Sequence, residues 1–245
     1  MNPSDGLRGG FAALILASAS LAEGKVEESR ATFTSRGKAI GLEVFAPAAE
    51  GRHPAIVMLH GSGGMVIGGD AFRGIARELA KRDYVVLMVH YFDRTGTKFG
   101  DPKIIKDNFT SWVETVGDAV KHAATLPAVD PSRIGLVGFS LGAYLSLSEA
   151  VFDPRVKGVV EFFGGLPASL ADKAKAMPPT LILHGEADKI VPVKEARDLQ
   201  RLLQANGVPF EIKIYPDSGH AFLGEDGLDS LNRTLAFLDK HVKGP

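Results

Sequence analysis

Short apolar runs alternate along the chain with longer segments of helical periodicity. Six runs of 4 to 8 mostly apolar residues are typical of strands that are buried on both faces of a parallel sheet. They occupy residues 55–59, 84–89, 134–138, 156–163, 180–183 and 210–215. Between and after them, five segments carry apolar residues near every 3.6 positions, as amphipathic helices do. These segments occupy residues 72–81, 103–125, 141–152, 193–205 and 228–242.

The alternation of strand and helix predicts an α/β fold with a doubly wound, mostly parallel sheet that is flanked by helices. Two earlier segments, residues 31–35 and 41–47, are predicted to form antiparallel strands joined around Gly37. They bring the expected sheet to about eight strands. Since no linker or low-complexity segment divides residues 23–245, we expect a single domain.

The first 22 residues resemble a secretory signal. Arg8 precedes an apolar run at residues 11–16, and small residues with an Ala-x-Ala-like end follow at residues 17–22, although Asp5 weakens the positive region. We expect a cleaved signal, a mature chain that begins near Glu23, and a periplasmic or secreted protein. The alternative is an N-terminal helix that packs on the domain of a cytoplasmic protein.

Composition narrows the class of protein. The chain has 28 Lys and Arg against 29 Asp and Glu, a formal net charge of −1, which does not favour binding of nucleic acid through its phosphates. It contains no cysteine, which excludes disulfides, thiolate metal sites and a cysteine nucleophile. No apolar run in the sequence reaches the roughly 18 residues that a membrane-spanning helix needs.

Polar residues follow the predicted strands at the sheet edge where ligands bind in folds of this kind. Residues 138–142 read Gly-Phe-Ser-Leu-Gly, a G-x-S-x-G pattern between a predicted strand and a predicted helix. The glycines allow a sharp turn that presents Ser140 above the sheet. Because a serine hydroxyl needs a neighbouring base to act as a nucleophile, the pattern predicts a histidine beside Ser140.

His220 is the predicted base because it follows the last predicted strand. Asp188 follows the preceding strand and is predicted to orient the imidazole, with Glu186 as the alternative acid and Asp217 as a weaker one. The other histidines lie on helices, at the opposite end of the sheet, or before the acid in the chain: His53, His60, His90, His122, His184 and His241.

Acyl transfer also needs hydrogen-bond donors that stabilise the developing oxyanion. The backbone N–H of Leu141 is the first expected donor. The second is expected from the turn after His60, at Ser62, with Gly61 and Gly63 left as alternatives. Five neighbouring residues are expected to line the substrate pocket: His60, Gly61, Arg94, Phe139 and Phe222. Residues 91–112 are expected to form one wall of it, or else to pack in the core.

Over residues 31–242 the sequence resembles the α/β-hydrolase superfamily and, within it, the dienelactone hydrolase family. The resemblance rests on the motif around Ser140, on His-Gly-Glu-Ala-Asp at residues 184–188, and on residues 43–47, 53–61, 153–159 and 215–222. It implies an α/β-hydrolase fold, Ser140 as nucleophile, Asp188 as acid, His220 as base, Ser62 and Leu141 as oxyanion donors, and no metal or other cofactor. The namesake enzymes differ at two positions, with a cysteine in place of Ser140 and a glutamate in place of Gly61.

We expect a serine hydrolase that cleaves small carboxylic esters through an acyl-enzyme, with no nucleic-acid partner and as a monomer or a dimer. A peptidase or thioesterase of the same fold, or a catalytically silent binding module, is the alternative. The namesake family places an arginine shortly after its histidine, and this chain has Ala-Phe-Leu-Gly after His220. We therefore expect neutral esters to be preferred, since Arg94 is the remaining cation nearby.

Overall fold

The computed structural model describes residues 24–244, so the expected signal at residues 1–22 lies outside the described residues. The strands are β1 Val26–Ser35, β2 Lys38–Pro47, β3 His53–Leu59, β4 Val85–Val89, β5 Val129–Phe139, β6 Val156–Phe162, β7 Thr180–Gly185 and β8 Phe210–Tyr215. The α-helices are α1 Gly69–Ala80, α2 Pro102–Ala123, α3 Leu141–Ala150, α4 Lys194–Ala205 and α5 Gly224–Leu238. The short helical turns are Tyr91–Arg94, Ala168–Ala176 and Asp239–Lys243.

The strands form one eight-stranded sheet in the order β1-β2-β4-β3-β5-β6-β7-β8. The β1–β2 and β2–β4 pairs are antiparallel, and the other neighbouring pairs are parallel. The prediction of an eight-stranded, mostly parallel sheet flanked by helices is therefore confirmed. The carboxyl ends of β3, β5, β6 and β7 meet at one edge of the sheet, with β5 near its centre.

Helices cover both faces of the sheet and bury an apolar layer on each. Trp112 of α2, Leu145 of α3 and Leu199 of α4 belong to the layer on one face. Leu79 of α1 and Leu235 of α5 belong to the layer on the other. Each fully buried large apolar side chain contributes roughly 1.5 to 3 kcal/mol, so the two layers hold the strand ends firmly in place. Among the described helices, none is long and apolar enough to cross a membrane.

The observed elements extend beyond several predicted bounds. The strand predicted from residue 31 begins at Val26, because polar β1 pairs with β2 over its whole length although most of its side chains are exposed. Helix α5 begins at Gly224 instead of residue 228, since its first turn is mostly polar and carries no apolar period. At residue 238 this helix gives way to a π-helical turn, where the periodicity had predicted α-helix to residue 242.

Candidate active site

Ser140 lies alone between β5 and α3 in a strained turn. Its backbone has φ 53° and ψ −117°, a conformation that non-glycine residues rarely adopt. A Cβ atom at Gly138 would lie 2.3 Å from the Gly142 carbonyl oxygen, and one at Gly142 would lie 2.4 Å from the Leu59 carbonyl oxygen. Both positions therefore require glycine, because α3 begins directly against β3 and β5. The turn presents the Ser140 hydroxyl at the sheet edge.

A hydrogen-bond chain joins Ser140 to the two other residues predicted for the chemistry. The Ser140 hydroxyl lies 2.9 Å from His220 Nε2, and His220 Nδ1 lies 2.7 Å from Asp188 Oδ2. The Asp188 side chain is fully buried, whereas 16% of the His220 side chain is exposed. The fold thus brings together three residues that follow β5, β7 and β8, with the base partly open to solvent.

Asp188 is held as a carboxylate. Its Oδ1 atom accepts the N–H groups of Ile190 at 2.8 Å and Val191 at 3.0 Å. Burial disfavours the charged form, but the hydrogen bond and charge of His220, together with these two N–H groups, outweigh it and lower the Asp188 pKa. Asp188 therefore stays ionised and can stabilise a protonated His220.

The alternative acids point elsewhere. Glu186 pairs with Arg197, with 2.5 Å between Oε2 and Nη2, and both side chains are well exposed. Asp217 is exposed. Of the three candidate acids, Asp188 is the one that contacts the His220 ring.

His184 lies next to Asp188 and holds the loop that carries it. Its ring is buried, and Nε2 donates to the Val191 carbonyl at 2.9 Å while lying 3.5 Å from Asp188 Oδ2. Burial lowers the His184 pKa, which keeps the ring neutral. The histidine therefore fixes the loop that carries the acid. The sequence placed His184 at a strand end but gave it no role.

The predicted oxyanion donors flank Ser140. Leu141 is the first residue of α3, where backbone N–H groups have no partner within the helix. On the other side, a Cβ atom at Gly61 would lie 3.4 Å from Ser140 Cβ, so the turn after β3 passes the nucleophile closely. The Ser62 carbonyl accepts the Gly100 N–H at 2.8 Å, which fixes this turn. Ser140 therefore lies between the start of α3 and the turn that carries Ser62, the two segments expected to supply the donors.

His60 lies under that turn. Its ring stacks on Tyr91 with 4.2 Å between centroids, and its Nδ1 atom lies 2.8 Å from the Gly61 carbonyl oxygen. Burial lowers the His60 pKa to about 4, so the ring is neutral and Nδ1–H can donate to Gly61. The structure therefore places His60 as a buried support of the turn.

Arg94 lies against α2. Its Nη2 atom is 3.8 Å from Glu114 Oε2, and the side chain is mostly buried. Tyr91 and Trp112 are completely buried. These two residues of segment 91–112 therefore pack in the core, the alternative to a pocket wall. The structure does not bring Arg94 into the apolar cleft beside His220.

A small apolar cleft lies near the hydrogen-bond chain. Ten described residues line it, and none is charged: Ala71, Phe72, Ile75, Phe139, Phe162, Phe163, Ala221, Phe222, Leu223 and Ser230. The Phe163 ring lies 4.7 Å from the His220 ring and 5.3 Å from the Phe222 ring. Two of the residues predicted for the pocket, Phe139 and Phe222, thus lie in the wall of this cleft, which approaches His220 through Phe163 and has neither His220 nor Ser140 in its lining.

Comparison with known proteins places the fold and the residues in a family. The model of the dienelactone hydrolase family matches residues 41–236. The chain belongs to the dienelactone hydrolase family. The matched residues 41–236 include the turn after β3, Ser140, Asp188 and His220. The whole hydrogen-bond chain therefore lies within the match to the family.

Individual relatives agree with the family. A Methylorubrum extorquens protein named "Putative carboxymethylenebutenolidase" is 26% identical over 203 residues, covering 72% of this chain and 65% of that protein. The chain therefore spans about two thirds of that relative's length. A Xenopus tropicalis "Carboxymethylenebutenolidase homolog" is 24% identical over 180 residues, covering 70% of this chain and 72% of that protein.

A solved structure supports the α/β-hydrolase fold. It is that of a dienelactone hydrolase-like promiscuous phosphotriesterase from metagenomic libraries, with a TM-score of 0.79. The two are 17% identical, and the alignment covers 89% of this chain and 99% of the other. At this identity the likeness shows the shared fold.

Two residues near the site of this dienelactone hydrolase family member were given no role from the sequence. Phe163 directly follows β6 and has φ 45°, a backbone conformation that the sequence does not reveal for a phenylalanine. Glu161 is completely buried in β6, and its Oε2 atom accepts the Gly164 N–H at 2.7 Å while Oε1 has no partner among the described residues. Glu161 could have been found from the sequence, because it is the one glutamate within the mostly apolar run at residues 156–163.

Proposed function

We propose that this protein is a serine hydrolase that cleaves small, neutral carboxylic esters through an acyl-enzyme intermediate. The observation that carries the proposal is the hydrogen-bond chain from the Ser140 hydroxyl through His220 to the buried carboxylate of Asp188. A serine at a strained strand-to-helix turn, with a base and an ionised acid in line, is the arrangement that nucleophilic acyl transfer requires.

Acylation follows from this geometry. Ser140 Oγ attacks the ester carbonyl carbon as its proton passes to His220 Nε2. The oxyanion that forms accepts hydrogen bonds from the backbone N–H groups of Leu141 and Ser62. The bond to the alcohol oxygen then breaks, and protonated His220 gives its proton to that oxygen. The products of this half-reaction are the free alcohol and an acyl group on Ser140.

Deacylation reverses the roles with water. His220 Nε2 removes a proton from a water molecule, which attacks the acyl carbon, and the same two N–H groups stabilise the second oxyanion. Collapse of this intermediate breaks the bond to Ser140 Oγ, and His220 returns the proton to the serine. The carboxylic acid leaves, and the hydroxyl is ready for another cycle.

The charges around the site favour neutral substrates. The cleft beside His220 is lined by uncharged residues, and Arg94 lies against Glu114. A buried carboxylate on a substrate requires a paired charge or several donors. An ester without charge needs neither.

Fluorophosphonate labelling tests the nucleophile directly. We expect the probe to attach to Ser140, as seen by mass spectrometry of the labelled peptide, and esters to be hydrolysed faster than matched thioesters and amides. A folded protein that neither labels at Ser140 nor hydrolyses any ester would instead be a catalytically silent binding module.

A further inference from the structure

The β6 turn, defined as residues 162–164, contacts both the nucleophile and the base. The Phe162 carbonyl accepts the backbone N–H of Ser140 at 2.9 Å, so the end of β6 holds the turn that carries the nucleophile. The next residue, Phe163, places its ring 4.7 Å from the His220 ring. Two consecutive residues therefore bear on the position of Ser140 relative to His220.

The backbone of the β6 turn is strained. Phe163 has φ 45°, a conformation that a bulky residue keeps only where its surroundings enforce it. Its N–H donates to the Leu183 carbonyl of β7 at 2.8 Å. The following residue, Gly164, packs against α3, since a Cβ atom at Gly164 would lie 2.4 Å from Ala143 Cβ. Relaxation of the φ value would move the Phe163 ring away from this arrangement.

The Glu161 carboxyl closes the β6 turn. Its Oε2 atom accepts the Gly164 N–H at 2.7 Å, which joins the residue before the strained segment to the residue after it. The side chain is completely buried, and Oε1 has no hydrogen-bond partner among the described residues. Burial raises the Glu161 pKa to about 8, so the carboxyl is uncharged at pH 7. Within the part of the chain that the structure describes, this carboxyl therefore serves the β6 turn.

We propose that Glu161 is a positioning residue of the hydrolytic reaction, whose hydrogen bond holds the β6 turn and thereby the distance between Ser140 and His220. The inference rests on the proposed function, because proton transfer from the Ser140 hydroxyl to His220 Nε2 depends on that distance, which is 2.9 Å. In this role Glu161 takes and gives no proton. It acts through the backbone of the β6 turn, which bonds to Ser140, and through the Phe163 ring, which packs on His220.

Three variants separate positioning from stability. Glu161→Gln keeps an oxygen that can accept the Gly164 N–H and matches the uncharged carboxyl in size. Glu161→Met keeps the length of the side chain but removes the acceptor. Thr180→Val is the matched control for Glu161→Met, because it also removes a hydrogen bond of a buried residue. That bond runs from the Thr180 hydroxyl to the Pro178 carbonyl at 3.0 Å, at the end of β7 that lies away from the active site.

Steady-state kinetics on benzyl acetate at pH 7 measures the effect. We expect Glu161→Met to lower kcat and kcat/KM by the same factor, about 10- to 100-fold, because a small displacement between reacting groups slows the reaction strongly. Glu161→Gln should stay within about threefold of the original protein. Thr180→Val should do so as well, even if its melting temperature falls as far as that of Glu161→Met.

Three kinetic outcomes would overturn the proposal. The first is a kcat for folded Glu161→Met equal to that of the original protein. The second is a loss of activity in Glu161→Gln as large as that in Glu161→Met, since the glutamine keeps the acceptor. The third is a loss in Thr180→Val that matches Glu161→Met, which would mean that lower stability alone explains the effect.

Phe163→Leu tests the same link if Glu161→Met does not fold. Leucine keeps an apolar side chain at this position and leaves the Glu161 hydrogen bond in place, while the ring beside His220 is lost. We expect kcat to fall at least about fivefold with little change in KM. An unchanged kcat would mean that the β6 turn does not act on His220, and it would overturn the proposal.

Proton NMR of the His220 ring separates this inference from the proposed function. The proton between His220 Nδ1 and Asp188 reports the surroundings of the ring without any substrate. We expect Glu161→Met to shift or broaden its signal, and Glu161→Gln and Thr180→Val to leave it unchanged. That pattern supports the role of Glu161 in holding the ring even if no ester is hydrolysed, in which case the proposed function alone fails. An unchanged signal in Glu161→Met overturns the inference, and normal ester hydrolysis by the same variant leaves the function standing.

Discussion

His220 Nδ1 lies 2.7 Å from Asp188 Oδ2, whereas the carboxylate of Glu186, two positions earlier in the same loop, pairs with Arg197. Of these two acids in one loop, Asp188 is buried beside His220 and Glu186 is exposed at the surface. Their amide variants form a matched pair, because each changes one oxygen to nitrogen and removes one negative charge.

Asp188→Asn should lower kcat by roughly 10³ to 10⁴, since the amide cannot stabilise the imidazolium and favours the wrong tautomer of His220. Glu186→Gln should change kcat little. Steady-state kinetics on benzyl acetate, with circular dichroism to verify folding, measures both. Loss of activity in Glu186→Gln with a mild effect in Asp188→Asn would show that the acid is misassigned.

Ser140→Ala should lower kcat by roughly 10³ or more while the melting temperature stays close to that of the original protein. The alanine keeps the Cβ atom and the strained turn, so only the nucleophilic oxygen is lost. Activity assays and thermal unfolding give the two readouts. Substantial activity in the folded variant would contradict the nucleophile.

Glu161→Gln should change how stability depends on pH. Burial raises the pKa of this carboxyl to about 8 in the folded protein, from the usual 4.5, despite the hydrogen bond from Gly164. The folded state therefore holds the proton more tightly than the unfolded state. Stability from Glu161 is complete below pH 4.5 and is lost as the pH rises through about 8, by about 1.4 kcal/mol per pH unit within this interval.

The glutamine variant carries no such proton and should lose less stability between pH 5 and pH 8.5, as measured by denaturant unfolding at each pH. Glu186→Gln, which alters an exposed carboxyl, serves as the control and should follow the original protein. Identical pH profiles for Glu161→Gln and the original protein would mean that Glu161 is ionised in the folded state.

Arg94→Ala should leave the preference between neutral and anionic esters nearly unchanged, because Arg94 lies against Glu114 away from the cleft. The Glu114 carboxylate offsets part of the Arg94 charge, which leaves little charge to attract a carboxylate on a substrate. The measurement is kcat/KM for benzyl acetate and for its 4-carboxybenzyl analogue. An anionic preference above about tenfold that Arg94→Ala abolishes would restore the anionic lactones as the substrate class.

We propose that residues 1–22 are a secretory signal and that the protein acts in the periplasm or outside the cell. Protein isolated from its native host should begin near Glu23, as determined by N-terminal sequencing. Removal of residues 1–22 should change the melting temperature little, since the first described strand begins at Val26. A mature chain that retains Met1, or a large loss of stability on truncation, would favour the packed helix.

The apolar pattern predicted the sheet well because parallel strands buried on both faces read as uninterrupted runs. Ser140, Asp188 and His220 could be chosen from the sequence since strand ends of one sheet meet at a common edge. The cleft could not, because Ala71 of α1 and Phe163, which follows β6, are far apart in the chain and come together only in the folded protein. Arg94 was expected in the pocket but lies against Glu114 of the following helix. The order of residues in the chain does not show the direction in which a side chain points.

Ser140 acquires its geometry only after distant segments have joined. The amino end of α3 rests on the Leu59 carbonyl, and His220 is 80 positions away along the chain. Closing loops of this length is slow compared with forming helices. After dilution from denaturant, helical circular dichroism should therefore recover before Ser140 becomes reactive. The rate at which fluorophosphonate labelling of Ser140 recovers would then measure the rate of the final step of folding.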